Sequence, residues 1–215
     1  MPFAPYGYRE LAVFAAAAGA LAFGGWFVWW PLAILFGLLF CFVVWFFRDP
    51  PRRVPDAPGA LVSPADGTVT DITDVDTVEF IDGPARRVGI FLSIFSVHIN
   101  RSPCDGQVAF IQYRKGRFMS ALRPKSSSDN EANSVGLALP GAQGKVLVRQ
   151  IAGAIARRIV CAVGVGDALA RGQEFGMIKF GSRTEIYLPR EMGVSISVKV
   201  GQKVKAGTSI IGRLE

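Results

Sequence analysis

From Leu11 to Phe47 the chain carries no charged residue, and this run constrains the fold before any other feature does. It is longer than the roughly 20 residues that one transmembrane helix needs, so a single straight helix would overshoot the bilayer. Gly24-Gly25 and Pro31 divide the run into Leu11 to Phe23 and Leu32 to Phe47, with Trp26, Trp29 and Trp30 between the halves in the manner of an interfacial belt. The expectation is an apolar helical hairpin over residues 1–47. Each arm is short, so it either spans the bilayer or lies shallow in one leaflet. Arg9 precedes it and Arg48, Arg52 and Arg53 follow it, which under the positive-inside rule puts both ends on the cytoplasmic side of the cell membrane. The run is too long for a cleaved signal peptide, and no small-residue cleavage site follows it.

Residues 48–60, RDPPRRVPDAPGA, are rich in proline and charge and read as a linker. Residues 61–215 then have the size of one domain. LVSPADGTVT (Leu61 to Thr70) reads as strand, turn and strand, and Val88 to Val97, Gln107 to Tyr113, 145–151 and 154–163 are further β-prone runs. Val194, Ile196, Val198 and Val200 alternate with polar residues at the period of a half-buried strand. Only 129–139 reads as a short helix or loop. Short strands with glycine turns predict a mainly β, sandwich- or barrel-like soluble domain, α+β overall once the hairpin is included.

The formal charge of +7 suits an anionic partner. Aromatic residues are concentrated in the apolar run rather than among the basic residues, so a lipid surface is expected and a nucleic acid is not. Cys41, Cys104 and Cys161 form no C-x-x-C pair, which disfavours a disulfide framework or a cysteine zinc site. The single histidine, His98, rules out a zinc site built from two or three histidines.

Ser182, His98 and Asp66 are the one Ser-His-Asp set that uses this histidine, with His98 accepting the hydroxyl proton and Asp66 orienting the imidazole. Equally, His98 reads as a half-buried strand-end histidine and Asp66 as an ordinary turn aspartate. Gly181-Ser182 stands where Met177, Ile178 and Phe180 meet Ile186, Tyr187 and Leu188. Glycine tolerates strained backbone, so the Ser182 oxygen can approach the Gly181 carbonyl; a plain turn between two strands is the other reading. Arg114, Lys115, Arg117, Arg123 and Lys125 lie in one run without an acidic residue. It is either a solvated hairpin or a contact with anionic headgroups, with Phe118 and Met119 entering the interface.

Together these stretches resemble the short, membrane-associated form of the pyruvoyl-dependent phosphatidylserine decarboxylase family. GQEFGMIKFGS (Gly172 to Ser182) is similar to that family's G-x-E-x-G-x-F-x-x-G-S block, and SPADG (Ser63 to Gly67) to the segment with its aspartate. Phe91 to Gly106 resembles the histidine segment and Asn130-Glu131 part of an N-E-R signature. The resemblance implies self-cleavage between Gly181 and Ser182 into residues 1–181 and 182–215, which stay together as a non-covalent complex. It implies a covalent pyruvoyl cofactor made from Ser182, and decarboxylation of phosphatidylserine to phosphatidylethanolamine through a Schiff base. A homodimer is compatible with it. The sequence departs from the family at two points. Without a gap, His98 matches the first histidine of an H-x-x-H pattern and Arg101 the second, and with a small gap His98 matches the second; either way His98 serves both stages, or Arg101 or a water takes over one. The N-E-R signature reads Asn130-Glu131-Ala132. Arg101, Arg114, Lys115, Arg117 and Phe118 are the candidates for substrate or membrane contact.

A different class also fits two segments. VSPADGTV and VKVGQKVKAGTSI resemble the hammerhead strands of biotinyl or lipoyl carriers and membrane-fusion adaptors. A carrier needs a modified lysine in an E-x-M-K-M or D-K-A setting, which is absent. A membrane-anchored adaptor needs a long helical hairpin between the half-motifs.

Overall fold

A computed structural model describes residues 3–123, 125–142, 144–154, 158–179 and 182–214. It divides the chain into two compact units, Met1–Pro51 and Arg52–Glu215.

The first unit is a pair of helices, α1 (Tyr8–Val28) and α2 (Trp30–Phe46). The break falls at Trp29, whose backbone is extended with φ −166° and ψ 108°. It lies within the stretch between Gly24-Gly25 and Pro31 that the sequence marked as the divider, at the proline end. Pro31 explains the position: in a continuous helix its ring would clash with the Phe27 carbonyl, whereas in the first turn of a new helix it is accommodated. The two glycines stay helical, and a Cβ on Gly25 would come within 3.1 Å of the Leu32 side chain. At the open end of the hairpin the Ala4 N–H donates to the Phe47 carbonyl at 2.9 Å. Within α1, Leu11–Val28 has a mean hydropathy of 1.9 and is long and apolar enough to cross a membrane. Phe23, Trp26, Phe27 and Leu38 lie exposed on the pair, as expected of helices whose solvent is lipid.

The second unit contains fourteen strands among its described residues: β1 (Ala60–Val62), β2 (Gly67–Val75), β3 (Ala85–Leu92), β4 (Ile99–Arg101), β5 (Gly106–Arg114), β6 (Ala132–Ala138), β7 (Lys145–Ile151), β8 (Arg158–Cys161), β9 (Ala168–Leu169), β10 (Glu174–Lys179), β11 (Ser182–Pro189), β12 (Ser195–Ile196), β13 (Lys203–Val204) and β14 (Ile210–Arg213). Eight form one sheet in the order β13-β2-β3-β11-β7-β6-β5-β9, and β1-β14-β12 and β4-β10-β8 form two small sheets. The mainly β architecture is the one the glycine-punctuated strand pattern predicts. Residues 132–138 are a correction. They were expected as helix or loop, since ANSVGLA is poor in β-formers, yet they pair with both β5 and β7. Val194 to Val200 is ladder-paired only at Ser195 and Ile196.

β11 is the spine of this unit. It pairs with β3 from Ser182↔Leu92 to Pro189↔Ala85 and with β7 from Arg183↔Ile151 to Tyr187↔Leu147. Strand alternation sends Ile186 and Leu188 inward to Val88, Ile90, Val146 and Val148, and the small sheets add Leu61, Phe175 and Ile211 to the same core. The residues between Arg52 and β1 have no regular structure but are tied down. Arg171 Nη1 donates to the Ala57 and Ala60 carbonyls at 2.7 and 3.1 Å. Gly172, at φ 81°, lies so close to Val54 that a Cβ would be 2.4 Å from it.

On the opposite face β11 presents Arg183, Glu185 and Tyr187, all buried. Glu185 accepts from Arg183 Nε at 2.7 Å, Ser127 Oγ at 2.6 Å and Tyr187 Oη at 2.5 Å. Arg183 also reaches Thr70 and Asp71, and Arg149 joins Tyr187 to Glu79. Burial opposes the charge on Glu185, but Arg183, Ser127 and Tyr187 outweigh it and hold the carboxyl below its ordinary range. Asp71 and Glu79 behave alike, through Arg183 and Arg149 respectively. Their folded pKa values are lowered, so this stabilisation is complete above the ordinary carboxylate range and is lost as pH falls through the folded values. Two outcomes follow. Stability in denaturant titrations should decline as pH drops below about 4. Glu185→Ala, which removes the buried acceptor shared by Arg183, Ser127 and Tyr187, should cost about 3–5 kcal/mol in the same measurement at pH 7.

Candidate active site

β10 runs toward residues 180–181, and Ser182 opens β11. β4 lies against β10 with Ile99 opposite Met177, and the ladder extends one residue further, the Ile178 N–H donating to the His98 carbonyl at 3.1 Å. His98 is thereby fixed beside the strand that feeds into Ser182, and both residues are fully buried. Gly181 and Phe180 lie outside the described residues.

His98 Nδ1 is 2.9 Å from the Ser96 carbonyl oxygen. A carbonyl can only accept, so Nδ1 carries the hydrogen, and in the neutral ring Nε2 keeps its lone pair. The orienting contact expected from Asp66 is thus made at Nδ1 by a backbone carbonyl two residues away, set in a turn closed by the Ser96 N–H to the Ser93 carbonyl at 2.9 Å. Asp66 uses its own oxygens elsewhere, accepting from Arg52 at 2.8 Å and from the Ala206 N–H at 2.7 Å. It ties the SPADG turn to the loop following β13.

Ser182 Oγ has no hydrogen-bond partner among the described residues. An unmet buried hydroxyl costs about 1–3 kcal/mol, so its presence at the head of a central strand calls for a reason. Its neighbours on the same side of the strands are satisfied. Asn100 Nδ2 donates to Thr184 Oγ1 at 3.0 Å, Gln150 Nε2 to Asn100 Oδ1 at 2.9 Å, and Asn133 Nδ2 to Gln150 Oε1 at 3.0 Å. The sequence reading missed this amide chain; its one visible sign was polar amides inside otherwise apolar strands.

The remaining candidates separate. Arg101 is committed to the Glu174 carboxylate at 2.8 Å and the Gly172 carbonyl at 3.1 Å. Arg114 donates to the Ser127 and Asn130 carbonyls. Lys115, Arg117 and Phe118 are exposed. Asn130, fully buried, grips the Met119 N–H and carbonyl at 3.0 and 2.8 Å and the Ala152 carbonyl at 2.7 Å, and so fastens the basic loop to the end of β7. Two cavities meet at residues 91–96, the segment that pairs with Ser182 and carries Ser96. One, of about 480 Å³, is lined by Asp66, Ser93, Ser96 and Lys203; the other, of about 280 Å³, by Phe91, Ile94, Phe95, Ala121 and Ala154. A larger hollow of about 650 Å³ at β5 and β9 borders none of these residues.

A phosphatidylserine decarboxylase family model matches residues 39–212. The chain is similar to the phosphatidylserine decarboxylase proenzyme of Rhodopirellula baltica, 47% identical over the whole chain and 89% of that protein. It is likewise similar to those of Carboxydothermus hydrogenoformans, at 48% over 97% of the chain and 96% of the relative, and Symbiobacterium thermophilum, at 46% over 96% and 94%. The adaptor alternative finds no support: between its two half-motifs the described residues hold strands, and their one α-helix there is Ser126–Asp129.

Asn100→Ala should lower stability by about 1–3 kcal/mol, because it removes the donor to Thr184 Oγ1 and leaves Gln150 Nε2 only the longer bond to the Val160 carbonyl, at 3.3 Å. Thermal melting of the purified variant checks this.

Proposed function

Since the chain belongs to the phosphatidylserine decarboxylase family, we propose that it is made as a proenzyme, cuts itself between Gly181 and Ser182, and then converts phosphatidylserine to phosphatidylethanolamine and carbon dioxide. The observation that carries this reading is Ser182 Oγ, buried and without a partner among the described residues at the first position of the central strand.

In the first stage His98 Nε2 takes the hydroxyl proton as Ser182 Oγ bonds to the Gly181 carbonyl carbon. The Gly181–Ser182 carbon–nitrogen bond then breaks, the nitrogen recovers a proton, and an ester remains. Loss of the Cα hydrogen of residue 182 expels Gly181 as a carboxylate and leaves dehydroalanine. Water replaces its nitrogen, releasing ammonia and leaving a pyruvoyl group. When present, it supplies the ketone that condenses with the substrate amine and takes up the electron pair released with carbon dioxide. His98 holds a proton at Nε2 ready for return to the substrate carbon. Asp66 acts by position. Its bond from the Ala206 N–H links the two cleavage products, residues 1–181 and 182–215, and the ladders of β11 with β3 and β7 join them further. The apolar α1 supports work at a membrane, and the arginines flanking the hairpin favour its cytoplasmic face.

Intact-mass measurement should find two fragments, the smaller beginning with a borohydride-reducible carbonyl; one full-length chain would overturn the reading. Ser182→Ala should stay uncut and inactive on lipid while melting close to the wild type, because no hydrogen bond is lost. His98→Ala should slow cleavage by about 10²–10⁴-fold in a gel time course.

A further inference from the structure

Beyond the hairpin, we propose that the rim formed by residues 93–95 and 114–125 is a second lipid-binding surface, which seats the mouth of the site on anionic headgroups. This rests on the decarboxylase reading above. The two loops share the cavity of about 280 Å³ lined by Phe91, Ile94, Phe95, Ala121 and Ala154. Its lining includes Phe91 and Ser93, the residues on either side of Leu92, the ladder partner of Ser182.

The composition of the rim selects its occupant. Phe95 is 62% exposed, Leu122 63% and Phe118 37%. Among the described residues of the β unit these are the exposed phenylalanines and leucine; the other large apolar residues in the open are valines and Tyr113, and Tyr113 belongs to the same hairpin. Scattered apolar residues need no explanation, but Phe95 lines the cavity, and Phe118 and Leu122 are in the loop that supplies Ser120 and Ala121 to it. Arg114, Lys115, Arg117, Arg123 and Lys125 are exposed in that same loop, and no acidic residue occurs from 114 to 128. A nucleic acid would satisfy the cations and leave the phenylalanines in water. A bilayer bearing anionic headgroups satisfies both, the cations at phosphate level and the rings just below it.

The rim is also held in shape. The Arg117 N–H donates to the Asp129 carbonyl at 2.7 Å, and the Glu131 N–H donates to the Arg117 carbonyl at 3.0 Å. A Cβ on Gly116 would sit 2.3 Å from the Asn130 backbone, so glycine is what allows this close return. Binding therefore needs little ordering of the loop, which favours contact at low entropic cost.

The test uses the full chain and two substrates. One is phosphatidylserine in vesicles of phosphatidylcholine and phosphatidylglycerol; the other is dihexanoyl-phosphatidylserine dissolved as monomers. The triple variant Lys115→Glu, Arg117→Glu and Leu122→Asp should cleave itself fully and turn over the dissolved substrate within about twofold of wild type. On vesicles its kcat/KM should fall at least about tenfold, since each basic residue near an anionic leaflet typically contributes about fivefold. High salt should reduce the wild-type advantage on vesicles, and the charge-conserving pair Lys115→Arg and Arg117→Lys should keep it. Equal loss on both substrates, or unchanged activity on vesicles, overturns the docking surface. So does a variant whose only change is its oligomeric state, which would make this face an interface between copies. If even the wild type leaves dihexanoyl-phosphatidylserine unchanged, the decarboxylase reading fails and the docking surface falls with it.

Discussion

Everything in the β unit depends on the two-sided pairing of β11. Its eight residues, Ser182–Pro189, are laddered to β3 along their whole length and to β7 over five positions. The scissile bond of the proposed reaction therefore lies at the point where the chain enters a strand that is already fixed on both sides. Cutting there removes a connection without removing a strand. The same pairing sends Ile186 and Leu188 into the core and Arg183 and Glu185 to the other face, so a one-residue slip would exchange apolar and charged positions. Glu185, held by three hydrogen bonds, makes that slip costly, and with it any displacement of Ser182.

The distribution of unmet polar atoms singles out one side chain. Arg52, Asp71, Arg87 and Arg171 each leave one buried atom without a hydrogen bond among the described residues, but each of the four makes an ion pair or hydrogen bond. Ser182 has a single polar side-chain atom and that atom is the unmet one. The amide chain of Asn133, Gln150 and Asn100 ends on Thr184, two residues along the same face. Polar groups near the head of β11 are satisfied up to the hydroxyl that would react.

Much of this was legible in the sequence, and the parts that were not share a physical cause. Apolar runs bounded by glycine turns marked most strands, because burial on one face leaves a period in the residues. β6 left only a short mark, Val135 and Leu137, which face the core. Its other residues are small or polar, Ser134 faces the ionic network, and its stability comes from neighbours distant in sequence. Of the two dividers in the apolar run, Pro31 rather than the glycine pair sets the helix break at Trp29, because a proline ring excludes a carbonyl outright, whereas glycine costs a helix only about 1 kcal/mol. The motifs identified Ser182, His98 and Asp66 as a set, but not how they connect. A backbone carbonyl is available at every residue, so nothing in the residue types showed that Ser96 would take the contact at Nδ1. Arg101 reads as a stand-in for a second histidine only until its partners are known; Glu174 and Gly172 use its guanidinium in holding the approach to β10.

A lone histidine is a smaller departure than it first looks. The two stages of the proposed reaction occur at one position in the chain, and the second begins only when the first has ended. The group that needs a base in the first stage is the Ser182 hydroxyl, and the group that needs an acid in the second is bound to what residue 182 has become. In that proposal both are served by His98 Nε2, provided the ring neither turns nor changes tautomer between them. The Ser96 carbonyl supplies that condition, since it keeps the hydrogen on Nδ1 and leaves Nε2 as the atom for proton exchange. A second histidine separates the two duties in space; here the order of events separates them in time.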